Sequence, residues 1–127
     1  VSAKAREDAY TQMPAEAHVV VTHGPPFGVR DLEAPGHIGD EIMLDAVYRA
    51  KPLVHCFGHV HPHRGASRMW HGGKSEGGSS TLFLNAASIG NPEARAHGGV
   101  APPMVFDVEL VGSGHGQSHG PGASHVQ

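Results

Sequence analysis

The stretch Val54-His55-Cys56-Phe57-Gly58-His59-Val60-His61 constrains this chain more than any other. An apolar run of strand length ends at a glycine, and two imidazoles one residue apart follow at once. Glycine adopts backbone angles closed to other residues, so the expected geometry is a sharp turn at Gly58 that lets His59 and His61 converge. A second segment has the same construction, Val19-Val20-Val21-Thr22 running into His23-Gly24-Pro25-Pro26. Together they predict two neighbouring strands that deliver His23, His59 and His61 to one edge of a sheet.

The residues between these segments complete an α/β unit. Three consecutive valines suit a strand covered on both faces, and Gly24-Pro25-Pro26 ends it in a rigid loop. Phe27 to Gly39 is loop-like. A helix is expected from Asp40, whose carboxylate can cap free amides, with Ile42, Met43, Ala46, Val47 and Ala50 as its apolar stripe. Lys51-Pro52 closes it. Strand, helix and strand then favour parallel pairing, and ligands of open α/β sheets collect beyond the carboxyl ends of such strands.

The rest of the chain is less regular. Residues 1–16 read as a helical lead-in and residues 17–110 as the folded part. Arg64 to Trp70 and Thr81 to Leu84 are expected strands, joined through a glycine-rich turn at 72–78. Pro92 to Pro103 reads as irregular and exposed, and Met104 to Leu110 as a half-buried strand by its alternation. Residues 111–127, rich in Gly, Ser and His, read as a flexible tail with too little apolar surface to offset ordering.

Composition removes several classes of function. A formal charge of -3, from nine basic and twelve acidic residues, gives no electrostatic footprint for nucleic acid. No apolar run approaches the ~20 residues needed to cross a bilayer. The single cysteine excludes an internal disulfide and lies within an apolar strand, where an inert buried thiol is expected. With no export signal visible, a cytoplasmic location is the expectation. The start Val1-Ser2-Ala3-Lys4 suggests a piece of a longer protein.

Twelve histidines make abundance alone uninformative. Position selects His23, His59 and His61 as metal ligands, because each follows a strand end. Imidazole nitrogens suit zinc, iron, cobalt, nickel and, less exclusively, manganese. Zinc-finger spacing is absent, which favours an open site over a closed structural one. His37, Arg64 and Asn85 are the candidate substrate contacts. Asp31, Asp40 and Asp45 are the nearby carboxylates, with Asp40 assigned to the helix cap and Asp45 to solvent.

In order along the chain, Thr22-His23-Gly24-Pro25-Pro26, Asp31-Leu32, Gly39-Asp40, Phe57-Gly58-His59-Val60-His61 and Asn85-Ala86-Ala87-Ser88 resemble the second half of a calcineurin-like metallophosphoesterase domain. The resemblance implies the carboxyl-terminal half of a β-sandwich flanked by helices, with two divalent ions, Mn, Fe or Zn, bound between its sheets. By resemblance His23 and His59 bind one ion and His61 the other. The family's earlier aspartate-rich motifs and its catalytic histidine have no counterpart here.

Two dications about 3.5–4 Å apart repel unless anionic groups surround them. Three imidazoles supply no such compensation, so this chain is expected to hold at most one ion well and to be inactive alone. The implied activity of the intact protein is phosphodiester or nucleotide phosphate hydrolysis, and the implied partner is the missing amino-terminal half or another chain. The competing expectation is a non-enzymatic metal-binding or assembly module that retains a partial site.

Overall fold

Val54–Phe57 forms strand β4, which lies inside a mixed sheet in the computed structural model, whose described residues are 1–73 and 78–110. Its neighbours are β1 (Val19–Val21) and β6 (Ser80–Asn85), both parallel to it, and β5 (Gly65–Trp70) runs antiparallel on the far side of β6. The four-stranded order is therefore β1-β4-β6-β5. Val19 pairs with Val54 and His55 with Phe83, so His55, Phe57, Phe83 and Asn85 share one face. The chain is an α/β fold.

Helix α2 (Glu41–Ala50) connects β1 to β4 and begins as its sequence dictates. The Asp40 carboxylate accepts from the amides of Ile42 at 2.9 Å and Met43 at 3.3 Å. Lys51 ends the helix in a left-handed conformation, its amide donating to the Val47 carbonyl at 2.8 Å. Met43, Ala46, Val47 and Ala50 are buried. Val47, Phe57 and Phe83 form the core cluster, with Met13, Val29 and Met69 packed on it. Ahead of this unit lies α1 (Ala3–Thr11), joined to it by an Arg6–Asp40 ion pair at 3.0 Å.

The second face of the sheet departs from expectation. Val19 and Val21 are 45% and 74% exposed, and only Val20 of the three valines is buried. β1 is an edge strand, and nothing among the described residues covers the outer face at its position. Met104 to Leu110 forms no strand. This segment runs along the sheet face without extending an edge: Met104 and Phe106 line a cavity of about 460 Å³ with Cys56 and Leu84, and Asp107, Val108 and Glu109 border a second with Val54, Trp70 and Leu82. Its alternation therefore pairs with no strand among the described residues.

Two further differences are local. Phe27 to Gly39 contains a small antiparallel pair, β2 (Leu32–Glu33) and β3 (Gly36–His37). Pro92–Ala96 is a short helix, α3, capped by Asn91, whose side chain accepts from the Ala94 amide at 2.8 Å. Asn, Pro and Glu in succession are a helix start signal, outweighed in the sequence by the glycines and prolines after it. Most of the 72–78 turn and the whole 111–127 tail lie outside the described residues. No helix among the described residues is long and apolar enough to cross a membrane.

Candidate metal centre

The carboxyl ends of β1, β4 and β6 are stitched together by main-chain hydrogen bonds. Thr22 donates to the Cys56 carbonyl at 3.0 Å, Gly58 to the His23 carbonyl at 3.0 Å, and Ala86 to the Phe57 carbonyl at 2.7 Å. This ladder continues past the strands and brings the two histidine loops side by side. The rings of His23 and His59 lie 5.0 Å apart, centroid to centroid, and both residues are exposed.

The sharp backbone conformation falls on His59 and not on Gly58. His59 has a φ of 70°, and the Val60 amide bonds back to the Gly58 carbonyl at 2.8 Å, closing a three-residue turn around the imidazole. A side chain other than glycine in this region carries strain, of order 1–3 kcal/mol, held only where surrounding contacts impose it. Those contacts are visible. The buried Asn85 amide donates to the Val60 carbonyl at 2.7 Å and to the Arg30 carbonyl at 3.4 Å, and its oxygen accepts from the Ala87 amide at 3.1 Å.

His61 opens a 3₁₀ turn, His61–His63, and lies against the loop at Gly90. A Cβ at Gly90 would sit 2.6 Å from His61 Nδ1, and Gly90 has a φ of 68°, so glycine is required there twice over. Among the described residues no three His, Cys, Asp or Glu side chains form a group able to hold one metal. His23 and His59 thus come together, and His61 does not complete a three-imidazole set with them.

Of the candidate substrate contacts, two are committed to structure. Arg64, with a side chain 6% exposed, binds Glu93 Oε2 at 2.5 Å, the Ala87 carbonyl at 3.2 Å and the Pro102 carbonyl at 2.5 Å. Asn85 spends its amide on the loops described above. Only His37 keeps a free face, its side chain 44% exposed beside the ring of Phe27 at 5.2 Å. Asp31 does not reach the imidazole pair as a metal-holding group; its carboxylate, 1% exposed, is taken up within its own loop.

Sequence reasoning missed the supports beneath the site. Thr22 Oγ1 donates to the Gly24 carbonyl at 2.8 Å, so the hydrogen between it and His55 Nε2, 2.9 Å away, comes from the imidazole. His55 is fully buried against Phe57 and Phe83, and burial lowers its pKa to about 4. Arg30 reaches the carbonyls of His63 and Arg64 at 3.4 Å each, and that of Ala66. Its guanidinium occupies the space a Cβ on Gly65 would fill. No local spacing reports contacts between residues more than thirty positions apart.

No family model matches the chain. It is similar to UPF0046 protein C25E10.12 of Caenorhabditis elegans, 32% identical over 107 residues that make up 80% of this chain and 34% of that protein. UPF0046 protein K07C11.7 of the same organism is 35% identical over 80 residues, 63% of this chain and 24% of the relative. The chain's homologues are thus UPF0046 proteins, and it spans about a third or less of the two named here. A probable rhamnogalacturonate lyase C of Emericella nidulans is 37% identical over 54 residues, which are 41% of this chain and 5% of that protein. So small a share carries no argument about a lyase activity.

Proposed function

We propose that this chain supplies the histidine side of a dinuclear metal centre that hydrolyses phosphoesters, either phosphodiesters or nucleotide phosphates, with the carboxylate ligands coming from residues outside it. The observation that carries this reading is the pairing of His23 and His59 at the ends of adjacent parallel strands, 5.0 Å between ring centroids. These are also the two histidines that the likeness to calcineurin-like metallophosphoesterases assigns to one ion.

The donor chemistry fits part of such a centre. Two exposed imidazoles from separate loops suit Mn, Fe or Zn, and the strained His59 turn is the kind of local cost found where geometry serves a ligand. His61, two residues beyond His59, is the ligand assigned to the second ion. A bound divalent metal lowers the pKa of water and offsets charge on a phosphoryl group. The chain's own part is positional: the His23–Gly58 backbone bond fixes the spacing of the loops, and Asn85 and Arg30 hold the segment after His59; of the candidate substrate contacts, His37 keeps an exposed face.

Zinc titration by calorimetry tests the reading. One ion per chain is expected for the wild type and none for His23→Ala or His59→Ala; unchanged uptake by both variants would refute it. The isolated chain is expected to show negligible turnover of an aryl phosphodiester with added manganese, and robust turnover would refute the shared-ligand arrangement.

A second reading is a non-enzymatic assembly module. It is favoured by β1 alone, an edge strand whose Val19 and Val21 side chains are exposed and whose outer edge pairs with no strand among the described residues. Metal uptake with no hydrolysis in the longer protein would select it.

A further inference from the structure

The sheet treats its two edges differently. At β5 the Arg30 guanidinium reaches across the start of the strand, donating to the carbonyls of His63 and Arg64 at 3.4 Å each and to that of Ala66. β1 carries no such cover. Its register against β4 turns the His18 carbonyl to the Val54 amide at 3.1 Å and the Thr22 amide to the Cys56 carbonyl at 3.0 Å, with Val20 between them opposite His55. Alternate residues of a strand turn their backbone groups to opposite sides. The amides and carbonyls of Val19 and Val21 therefore point away from β4, and β1 pairs with no other strand among the described residues.

These four backbone groups are symmetric about Val20. A second copy laid antiparallel, with a two-fold axis at Val20, sets Val19 opposite Val21 of the copy and Val21 opposite Val19. Residues in a hydrogen-bonded antiparallel pair exchange both of their bonds, so the two pairs use every outward group of each copy. The side chains of Val19 and Val21, the exposed valines of the strand, then face each other across the new ladder.

Charge permits this approach. The chain carries a formal charge of -3, yet residues 17–25 hold no ionisable side chain other than His18 and His23. The nearest acid is Glu16, exposed ahead of β1, and the antiparallel arrangement sends it to the end of the copy's strand that carries His23. Edge strands are commonly guarded against such pairing by charges, prolines or bulges. Val19-Val20-Val21 has no charge and no proline, and its register with β4 is regular.

We propose that β1 is a self-association edge, at which two copies of this chain join antiparallel through Val19 and Val21 into one continuous sheet. This rests on the assembly reading and supplies its partner. No metal takes part, and the two His23 loops lie at opposite ends of the junction. Hydrolysis by the longer protein would remove the assembly reading without touching the pairing, which is read from mass.

Sedimentation equilibrium of the 127-residue chain in EDTA, from about 10 µM to about 1 mM, tests the pairing, with amide hydrogen exchange followed over the same range. EDTA removes association through histidine-bound metal. So short an edge gives a weak dimer: the mass is expected to rise from one chain toward two across the range. Exchange of the Val19 and Val21 amides should slow about fivefold, while that of Val20, turned to β4, stays constant. Val21→Pro removes one outward amide without touching the bonds to β4, and Val19→Lys with Val21→Lys sets like charges opposite one another at exposed positions. Both should stay monomeric throughout with unchanged circular dichroism; if Val21→Pro loses that signal, the lysine variant decides alone. A wild-type chain that is monomeric at the top of the range overturns the proposal. So does a dimer that the lysine variant retains, or one in which the two amides exchange as fast as in the monomer. Growth beyond two chains overturns it equally, since the two-fold uses this edge of both copies.

Discussion

The Gly58 amide donates to the His23 carbonyl at 3.0 Å, which joins the loop after β1 to the loop after β4 two residues beyond their last paired residues, Val21 and Cys56. The two loops that carry the His23 and His59 imidazoles are therefore held side by side by the backbone itself. The proposed metal site therefore has its two loops already ordered by main-chain bonds, which lowers the cost of taking up a ligand there.

This preorganisation separates the three histidines by experiment. His23→Ala and His59→Ala are each expected to abolish zinc uptake by the chain. His61→Ala is expected to change it less than tenfold, because His61 lies apart from the pair and against Gly90. Calorimetric titration of the three variants checks the order; equal losses for all three would show one shared ion.

His59 carries a conformation that glycine holds at no steric cost. His59→Gly should therefore raise the stability of the metal-free chain by up to about 1 kcal/mol, strain relief outweighing the added chain entropy of glycine. His59→Ala keeps the strain and should not stabilise. Urea unfolding of the three proteins without metal makes the comparison, with zinc affinity falling in both variants.

Asn85 is a test of what holds the loop. Its side chain satisfies two carbonyls and one amide in a fully buried position. Asn85→Ala leaves those groups without partners and is expected to cost about 2–3 kcal/mol in urea unfolding. Asn85→Asp should be no milder, since it replaces a donor facing the Val60 carbonyl with an acceptor and buries a charge. Near-neutral effects would mean that the turn at His59 is set by something else.

What the sequence shows of this fold is its local part. Asp40 and the stripe from Met43 to Ala50 are signals carried within a few residues, and α2 follows them. The run into Gly58-His59 likewise places β4 and its histidine. The exposure of Val19 and Val21 depends on which strands flank β1, and three valines read the same at an edge as in the middle. Met104 to Leu110 alternates like a strand, yet the sheet offers it a face and no edge. The tie of Asp31 to His37 joins positions whose relation no helical or strand period reports. Gly58 attracted the turn because glycine permits it, whereas the fold imposed it on His59 through Asn85, far along the chain.

His55 links the stability of the fold to pH. Burial among Phe57 and Phe83 lowers its pKa to about 4, against an ordinary value of 6.5. The folded chain therefore keeps the ring neutral over a range where the unfolded chain takes up a proton, so unfolding is favoured as pH falls. Stability from this group is complete above pH 6.5 and declines between about 6.5 and 4, by about 3 kcal/mol in all. His71 acts in the same direction: burial first, and then the charge of Lys51, lower its pKa, and its Nε2 is spent on Thr81 Oγ1 at 2.8 Å. His55→Phe removes the titrating group while keeping an aromatic ring between Phe57 and Phe83, and Thr22 retains its bond to Gly24. The variant should unfold at nearly the same urea concentration at pH 7.5 and pH 5, apart from the contribution of His71, where the wild type loses a clear part of its midpoint. A wild-type midpoint that does not fall across that interval would show that the His55 ring is hydrated in the folded protein.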